Sequence, residues 1–153
     1  MIEARTKAPE FSLLDQDEKR VSLADFAGRK LVIAFYPLDF SPVCTDQLSL
    51  YQEVLGEIEE RGGSLVGISV DSVYCHRAFR DHLNLTMPLL ADFNPKGEVA
   101  RAYGAWIDKV DHGNRSLVLI DEQGIVRWSH ASPTPLEIPG ANLIFDALSA
   151  TSA

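Results

Sequence analysis

The feature that most constrains the fold is an unbroken apolar segment, Lys30 to Tyr36 (KLVIAFY), which Pro37 ends. A strand with one face in water alternates polar and apolar residues, whereas a strand covered on both faces is apolar throughout. A second segment of this kind, Leu65 to Val70 (LVGISV), lies further along the chain. We therefore predict two central strands in a sheet that is covered on both faces.

The chain after each of these strands has the pattern of a helix. From Cys44 onward apolar residues recur every three or four positions, at Leu48, Tyr51, Leu55 and Ile58. Arg61-Gly62-Gly63 ends this first helix, and Asp71-Ser72 caps a second one from about Val73 to Leu83. Alternating strands and helices predict a parallel pair joined by a right-handed crossover.

The N-terminal region adds a predicted β-hairpin. Glu10 to Leu14 and Arg20 to Leu23 are short strands, and the polar residues Asp15 to Glu18 form the turn between them. The sequence contains no internal repeat, low-complexity tract or linker, and 153 residues suffice to bury roughly 70 per cent of the unfolded surface. We predict one domain over residues 1–153.

The C-terminal part carries a second predicted hairpin. Ser116 to Ile120 and Ile125 to Ser129 flank the turn Asp121 to Gly124, and a last helix follows Pro139. A parallel βαβ unit followed by an antiparallel ββα unit is the layout of the thioredoxin fold. The predicted class is therefore α/β, with a central mixed sheet flanked by helices and the N-terminal hairpin as an elaboration.

Charge and hydropathy narrow the choice of partners and compartment. The net charge of −8 argues against nucleic acid or an anionic membrane as a partner. The longest apolar run, Leu31 to Phe35, is too short to cross a bilayer, and the first residues lack the apolar core of a signal peptide. We predict a cytoplasmic protein, in which two cysteines are more typical of catalysis, redox activity or simple burial than of a permanent disulfide.

Cys44 lies where the first predicted helix begins, in the stretch FYPLDFSPVCTDQ. The unpaired backbone N–H groups and the dipole at a helix start favour an anion, so this position suits a reactive thiolate as well as a small buried side chain. Attack on a peroxide would also require donors that stabilise charge on the two oxygens in the transition state. A reactive role further requires a sulfur that solvent can reach, and we expect one.

The segment Pro37 to Cys44 (PLDFSPVC) matches the P-x-x-x-[T/S]-x-x-C signature of the peroxiredoxins, with Ser41 at the position that usually holds Thr. Thr45-Asp46-Gln47 resembles the C-T-x-[E/Q] continuation of that signature. The stretches LADFAGRKLVIAFYP, MPLLADFNPKGEVARAYGAW and NRSLVLIDEQGIVRW resemble further blocks of the family in the same order. The chain thus resembles the AhpC/TSA superfamily along nearly its whole length, and most of all its peroxiredoxin Q, or bacterioferritin comigratory protein, and AhpE groups.

The resemblance implies a thiol-dependent peroxidase that reduces hydrogen peroxide or organic hydroperoxides. Cys44 corresponds to the peroxidatic nucleophile, Pro37 to a shield against bulk water, and Ser41 to the hydroxyl that contacts the peroxide. The backbone N–H groups of Val43 and Cys44 are implied as further donors.

Three residues after Cys44 are also given roles by the resemblance. Arg115, at the start of the apolar stretch SLVLI, would hold its guanidinium beside the thiolate and the peroxide. Gln47 would orient Arg115 through its side-chain amide, although many relatives have Glu there. Trp128 is expected to be an aromatic packing support.

Cys75, in the second predicted helix, leaves two catalytic cycles open. In some members of the peroxiredoxin Q group a cysteine in that helix resolves the sulfenic acid as an intramolecular disulfide, and the resemblance implies this role for Cys75. The closely spaced version is ruled out because position 49 is Ser. The alternative is a one-cysteine cycle in which Cys75 takes no part. We expect His76, beside it, to be a surface histidine.

Other classes of function have weaker support in the sequence. A thiol-disulfide oxidoreductase of this fold usually carries C-x-x-C, which Thr45-Asp46-Gln47 excludes after Cys44. A redox-responsive binding or holdase module remains an alternative. The other histidines, His82, His112 and His130, show no metal-ligand spacing, so we predict no metal and no other cofactor. The predicted partners are a peroxide and a thiol reductant, either thioredoxin or a small thiol, in a monomer or a homodimer.

Overall fold

A five-stranded mixed sheet organises the protein, which we describe from a computed structural model over residues 1–151. The strands are β1 Ser12–Leu14, β2 Arg20–Ser22, β3 Lys30–Phe35, β4 Gly63–Ser69, β5 Leu89–Ala91, β6 Trp106–Ile107, β7 His112–Gly113, β8 Ser116–Ile120 and β9 Val126–Ala131. The α-helices are α1 Pro42–Glu60, α2 Val73–Leu83, α3 Glu98–Ala102 and α4 Ala141–Ala150, and a 3-10 helix spans Leu23–Phe26. The central sheet has the order β5-β4-β3-β8-β9, and β1-β2 and β6-β7 form separate hairpins.

The strand directions confirm the predicted layout. In the central sheet β3, β4 and β5 are parallel, and β8 and β9 continue the sheet in antiparallel order. The predicted N-terminal hairpin is also present as β1 and β2. α1 begins at Pro42 rather than at Cys44, because proline has no N–H to lose at the first helical position and Ser41 serves as the N-cap. α2 has the predicted bounds, and Ser72 is its N-cap.

Two core clusters cover the two faces of the sheet. Val32 and Ala34 of β3 belong to the first cluster, to which α1, α2 and α4 also contribute. Leu31 and Ile33 belong to the second cluster, which includes residues of α3 and of the N-terminal segment. Because successive side chains of a strand point to opposite faces, the continuous apolar run follows directly from this double coverage.

The parallel strands β3 and β4 end at the same edge of the sheet, where Phe35 is paired with Ile68. The loops that follow them, residues 36–41 and 70–72, lead into α1 and α2. The starts of both helices therefore meet at this edge, and each carries one cysteine. No helix within residues 1–151 has the length and hydropathy of a membrane span.

Candidate active site

Cys44 lies in the first turn of α1, in contact with the first core cluster. The expectation of a sulfur that solvent can reach is wrong for this conformation, because Cys44 is fully buried. Its burial follows from the packing of the helix start onto the sheet edge, where Pro37 is buried as well. The first intrahelical bond runs from Thr45 N to Ser41 O (2.9 Å), so the N–H groups of Val43 and Cys44 precede it.

Arg115 is brought to Cys44 by the register of the sheet. Ser116, the first residue of β8, is paired with Phe35, the last residue of β3, so the residue before β8 lies beside the loop that leads to α1. The Nη2 group of Arg115 donates to Sγ of Cys44 at 3.4 Å. The guanidinium is almost fully buried and always charged, so a full positive charge lies directly beside the sulfur.

The other two guanidinium nitrogens of Arg115, Nε and Nη1, are also hydrogen-bonded. Nε donates to the carbonyl of Pro135 (2.9 Å), and Nη1 donates to Oε1 of Gln47 (2.5 Å). Gln47 is fully buried and extends from the first turns of α1 toward the guanidinium. A charged group with so many fixed partners has little freedom to leave the sulfur.

Ser41 places a free hydroxyl in the same region. Although Ser41 is the N-cap of α1, its side chain does not cap the helix, and within residues 1–151 its buried Oγ has no hydrogen-bond partner. Buried hydroxyl groups are rarely left without a partner, so this oxygen suits a hydrogen bond to a bound ligand. The preceding residue, Phe40, has φ +66°, a left-handed conformation that is strained for a bulky side chain, and it is exposed.

A second polar cluster, which sequence reasoning missed, lies beside this site. Tyr36 donates to Oδ1 of Asp39 (2.6 Å), and Nδ1 of His76 lies 2.7 Å from Oδ2 of Asp39. Nε2 of His76 lies 3.1 Å from the carbonyl of Leu90. The expectation of a surface His76 is therefore wrong: its ring is fully buried, because α2 turns this face toward the sheet edge and the Cys44 loop.

Cys75 lies on the outer side of that cluster and is half-buried. Its Sγ donates to Oδ1 of Asp71 (3.7 Å), and its backbone N–H donates to Oγ of Ser72. Burial and the negative charges of Asp39 and Asp71 raise the pKa of Cys75 from 9.0 to about 12. Both cysteines are free, and the two of them sit in opposite electrostatic surroundings.

Three potential metal ligands meet here, with ligand atoms of Asp39, Asp71 and Cys75 within 4.8 Å of one another. The carboxylates already have hydrogen-bond partners within the protein. Asp71 accepts from the backbone N–H of Asp39 (2.8 Å) and from Oγ of Ser69. These hydrogen bonds hold the loop between β3 and α1 against the loop that leads into α2. The only sequence signal for this cluster was the position of these polar residues directly after buried strands.

Trp128 lies apart from the hydrogen bonds of Arg115 described above. It is half-buried on β9, packs against the first core cluster and stacks on His130 with ring centroids 5.9 Å apart. These contacts are those of a packing residue.

The chain is similar in sequence and in structure to several known proteins. The AhpC/TSA family matches residues 4–129. The chain is 32% identical over 154 residues to alkyl hydroperoxide reductase E of Mycobacterium tuberculosis, with 100% of each protein covered. It is 33% identical over 139 residues to a thioredoxin peroxidase of Echinococcus granulosus, covering 84% of this chain and 71% of that protein. The crystal structure of peroxidoxin BcpB from Mycobacterium tuberculosis superimposes with a TM-score of 0.88 at 25% identity, with 100% of both chains covered.

Proposed function

The chain belongs to the AhpC/TSA family and is a thiol-dependent peroxidase, and we propose that Cys44 is the residue that attacks the peroxide. The observation that carries this proposal is the contact of 3.4 Å between Nη2 of Arg115 and Sγ of Cys44. A buried guanidinium at this position is in place for the negative charge that develops during the reaction. Cys75 has carboxylates instead of such a partner, which makes it the poorer nucleophile.

In the proposed first step the thiolate of Cys44 attacks one peroxide oxygen. A sulfur–oxygen bond forms, the oxygen–oxygen bond breaks, and the leaving alkoxide or hydroxide takes a proton to become an alcohol or water. The sulfur is oxidised to a sulfenic acid and the peroxide is reduced. The free hydroxyl of Ser41, the N–H groups of Val43 and Cys44, and Arg115 supply the donors to the two oxygens.

Access to the buried sulfur requires a displacement of the loop at residues 37–41. Leu38 and Phe40 of this loop are exposed, whereas Pro37 lies inside and shields the sulfur. The positive φ of Phe40 marks the point where the loop is already strained. A loop that opens briefly admits a peroxide and otherwise excludes bulk water from the thiolate.

We propose that Cys75 resolves the sulfenic acid. Its thiol would give a proton and form a disulfide with Cys44, with the hydroxyl of the sulfenic acid leaving as water. The support is topological, because both cysteines start helices that follow neighbouring parallel strands. Asp71, 3.7 Å from the sulfur of Cys75, is the group placed to accept its proton.

One observation favours the alternative, a one-cysteine cycle. Because the pKa of Cys75 is raised to about 12, its nucleophilic thiolate is scarce at neutral pH. An external thiol would then attack the sulfenic acid of Cys44 directly. In both cycles a thiol reductant regenerates Cys44.

The proposal also covers the reductant, the cellular compartment and the oligomeric state. The name of the Echinococcus granulosus relative, thioredoxin peroxidase, supports thioredoxin as reductant, and a small thiol is the alternative. We propose a cytoplasmic monomer or homodimer that binds neither nucleic acid nor membranes, since its net charge is −8. A single domain is supported by the two core clusters on opposite faces of one sheet.

Two measurements test this function. In stopped-flow experiments the reduced protein should consume hydrogen peroxide, and Cys44→Ser should not. Mass spectrometry after one equivalent of peroxide should show a loss of two hydrogens in the parent and a trapped sulfenic acid on Cys44 in Cys75→Ser. If the parent and Cys75→Ser give the same product, the one-cysteine cycle replaces the disulfide. If Cys44→Ser consumes peroxide as fast as the parent, the role of Cys44 is wrong.

A further inference from the structure

We propose that Tyr51 is a positioning residue for the oxidation of Cys44: its hydroxyl fixes the Gln47 amide, which in turn holds Arg115 against the sulfur. The proposal rests on the proposed role of Cys44 as the residue that reacts with peroxide. Tyr51 lies one helical turn after Gln47 on α1, and both residues are fully buried.

A continuous chain of hydrogen bonds connects Tyr51 to the sulfur. Nε2 of Gln47 donates to the hydroxyl of Tyr51 at 3.3 Å, and that hydroxyl donates to the carbonyl of Pro139 at 2.7 Å. On the other side, Oε1 of Gln47 accepts from Nη1 of Arg115, whose Nη2 donates to Cys44. Tyr51 therefore acts on the sulfur through two intermediate side chains.

The direction of every hydrogen bond in this chain is determined by the groups at its ends. A guanidinium only donates, so the amide oxygen of Gln47 must face Arg115 and its NH₂ group must face Tyr51. A carbonyl only accepts, so the single hydroxyl hydrogen of Tyr51 must point to Pro139. Without the hydroxyl, the buried NH₂ group loses its acceptor, and the amide loses one of the two contacts that hold its oxygen against the guanidinium.

The chemical nature of residue 47 explains why a second residue is needed. A carboxylate at this position would hold the guanidinium by charge and could bond it through both oxygens. A neutral amide has one acceptor oxygen and no net charge, so it holds the guanidinium less firmly and gains from a second contact on its NH₂ group. Burial raises the pKa of Tyr51 to about 12, so the hydroxyl keeps its proton at neutral pH and remains a donor to Pro139.

Arg115 is connected three times to one segment of the chain, residues 132–140 between β9 and α4. Pro135 accepts directly from Nε of Arg115, and Pro139 accepts from Tyr51. The backbone N–H of Ser132 also donates to the carbonyl of Arg115 (2.9 Å). Tyr51 is thus the link between this segment and the amide of Gln47.

The test is Tyr51→Phe, which removes the hydroxyl and keeps the ring. We expect the second-order rate constant for oxidation of Cys44 by hydrogen peroxide to fall about tenfold, since small misplacements of a catalytic group have effects of this order or larger. Stopped-flow fluorescence measures this rate constant.

The same substitution in a Gln47→Glu protein distinguishes a positioning role of Tyr51 from a general loss of stability. In a Gln47→Glu background, Tyr51→Phe should change the rate constant less than twofold, because the carboxylate holds Arg115 without help. The matched control is Tyr103→Phe, which removes another fully buried hydroxyl bonded to a carbonyl, that of Pro9 (2.6 Å), in the second core cluster. This control should lower the urea midpoint in a similar way and leave the oxidation rate unchanged.

The proposal is overturned if Tyr51→Phe oxidises at the parent rate, or if it loses the same factor in both backgrounds. A parent protein whose Cys44 does not react with peroxide would instead overturn the proposed function, so the two failures are distinct. If Tyr51→Phe does not fold in the parent background, the hydroxyl serves stability rather than positioning, and the proposal is overturned.

Discussion

The two cysteines occupy equivalent places in the fold and have opposite surroundings. Each lies in the first turn of the helix that follows one of two neighbouring parallel strands, β3 or β4. Cys44 is fully buried and bonded to a guanidinium, whereas Cys75 is half-buried and bonded to a carboxylate. The comparison teaches that a helix start alone does not activate a thiol, because burial and the charges of Asp39 and Asp71 raise the pKa of Cys75 at just such a position.

The surroundings of Cys75 also connect the two sites. Asp39 belongs to the loop that leads to Cys44, and its charge is one of the causes that raise the pKa of Cys75. The same carboxylate is bonded to Tyr36 and His76, which fixes it against the sheet. Any displacement of residues 37–41 during the reaction would therefore change the surroundings of both thiols.

The largest expected effect comes from removing the charge that distinguishes Cys44. Arg115→Met should lower the second-order rate constant with hydrogen peroxide by at least about 100-fold, the usual cost of losing one donor to a developing anion in a buried site. Stopped-flow fluorescence measures this constant. Arg127→Met is the matched control, since Arg127 is an arginine of β9 paired with Asp121 on the protein surface. Equal rates for Arg115→Met and the parent would show that the helix start is sufficient after all.

A smaller effect is expected when a charge is removed beside Cys75. In a Cys44→Ser background, Asp71→Asn should raise the rate of alkylation of Cys75 by iodoacetamide at pH 8 about tenfold, since one unit of pKa changes the thiolate fraction by that factor. Asparagine keeps an acceptor oxygen for the backbone N–H of Asp39. The control is Asp81→Asn, which changes an exposed carboxylate on α2, the helix that carries Cys75. An unchanged or lower rate in Asp71→Asn would mean that burial alone raises the pKa.

The smallest effect concerns stability at alkaline pH. The pKa of Cys75 is 9.0 in its ordinary state and about 12 in the fold, so only the unfolded chain loses this proton as the pH rises above 9. The contribution of Cys75 to stability is therefore fully present below pH 9 and is lost as the pH rises toward 12. We measure the free energy of unfolding in urea for Cys44→Ser and for the double variant Cys44→Ser, Cys75→Ser. Between pH 9 and 11 this free energy should fall more steeply in Cys44→Ser than in the double variant. Parallel declines would contradict the raised pKa.

Much of the architecture could be predicted because it depends on short-range patterns. The apolar run from Lys30 to Tyr36 identified the central strand, and the cap at Ser72 with the residues after it predicted the bounds of α2. The family signature also selected Cys44 and Ser41 as candidates, and the wider resemblance selected Arg115, before any contact was known. The roles of these residues stay predictions until the rates are measured.

Two features of the site could not be read from local patterns. His76 follows a cysteine at a helix start and has polar neighbours, as a surface histidine would, yet it is buried between Asp39 and the carbonyl of Leu90. Cys44 is fully buried by packing within the first core cluster, and the hydrogen bond from Arg115 reaches it across 71 positions of the chain. Burial of a single side chain is decided by the elements packed over it, and those come from distant parts of the chain.

The sequence by itself determined where strands and helices form, that one thiol stands at a helix start, and which family chemistry the chain can perform. These properties depend on residue types a few positions apart. Only the tertiary structure decided which charge lies beside each thiol, because the register of β3 with β8 brings Arg115 to Cys44 and the loop after β3 brings Asp39 to Cys75. Electrostatic effects act over a few ångströms in space, whatever the separation along the chain.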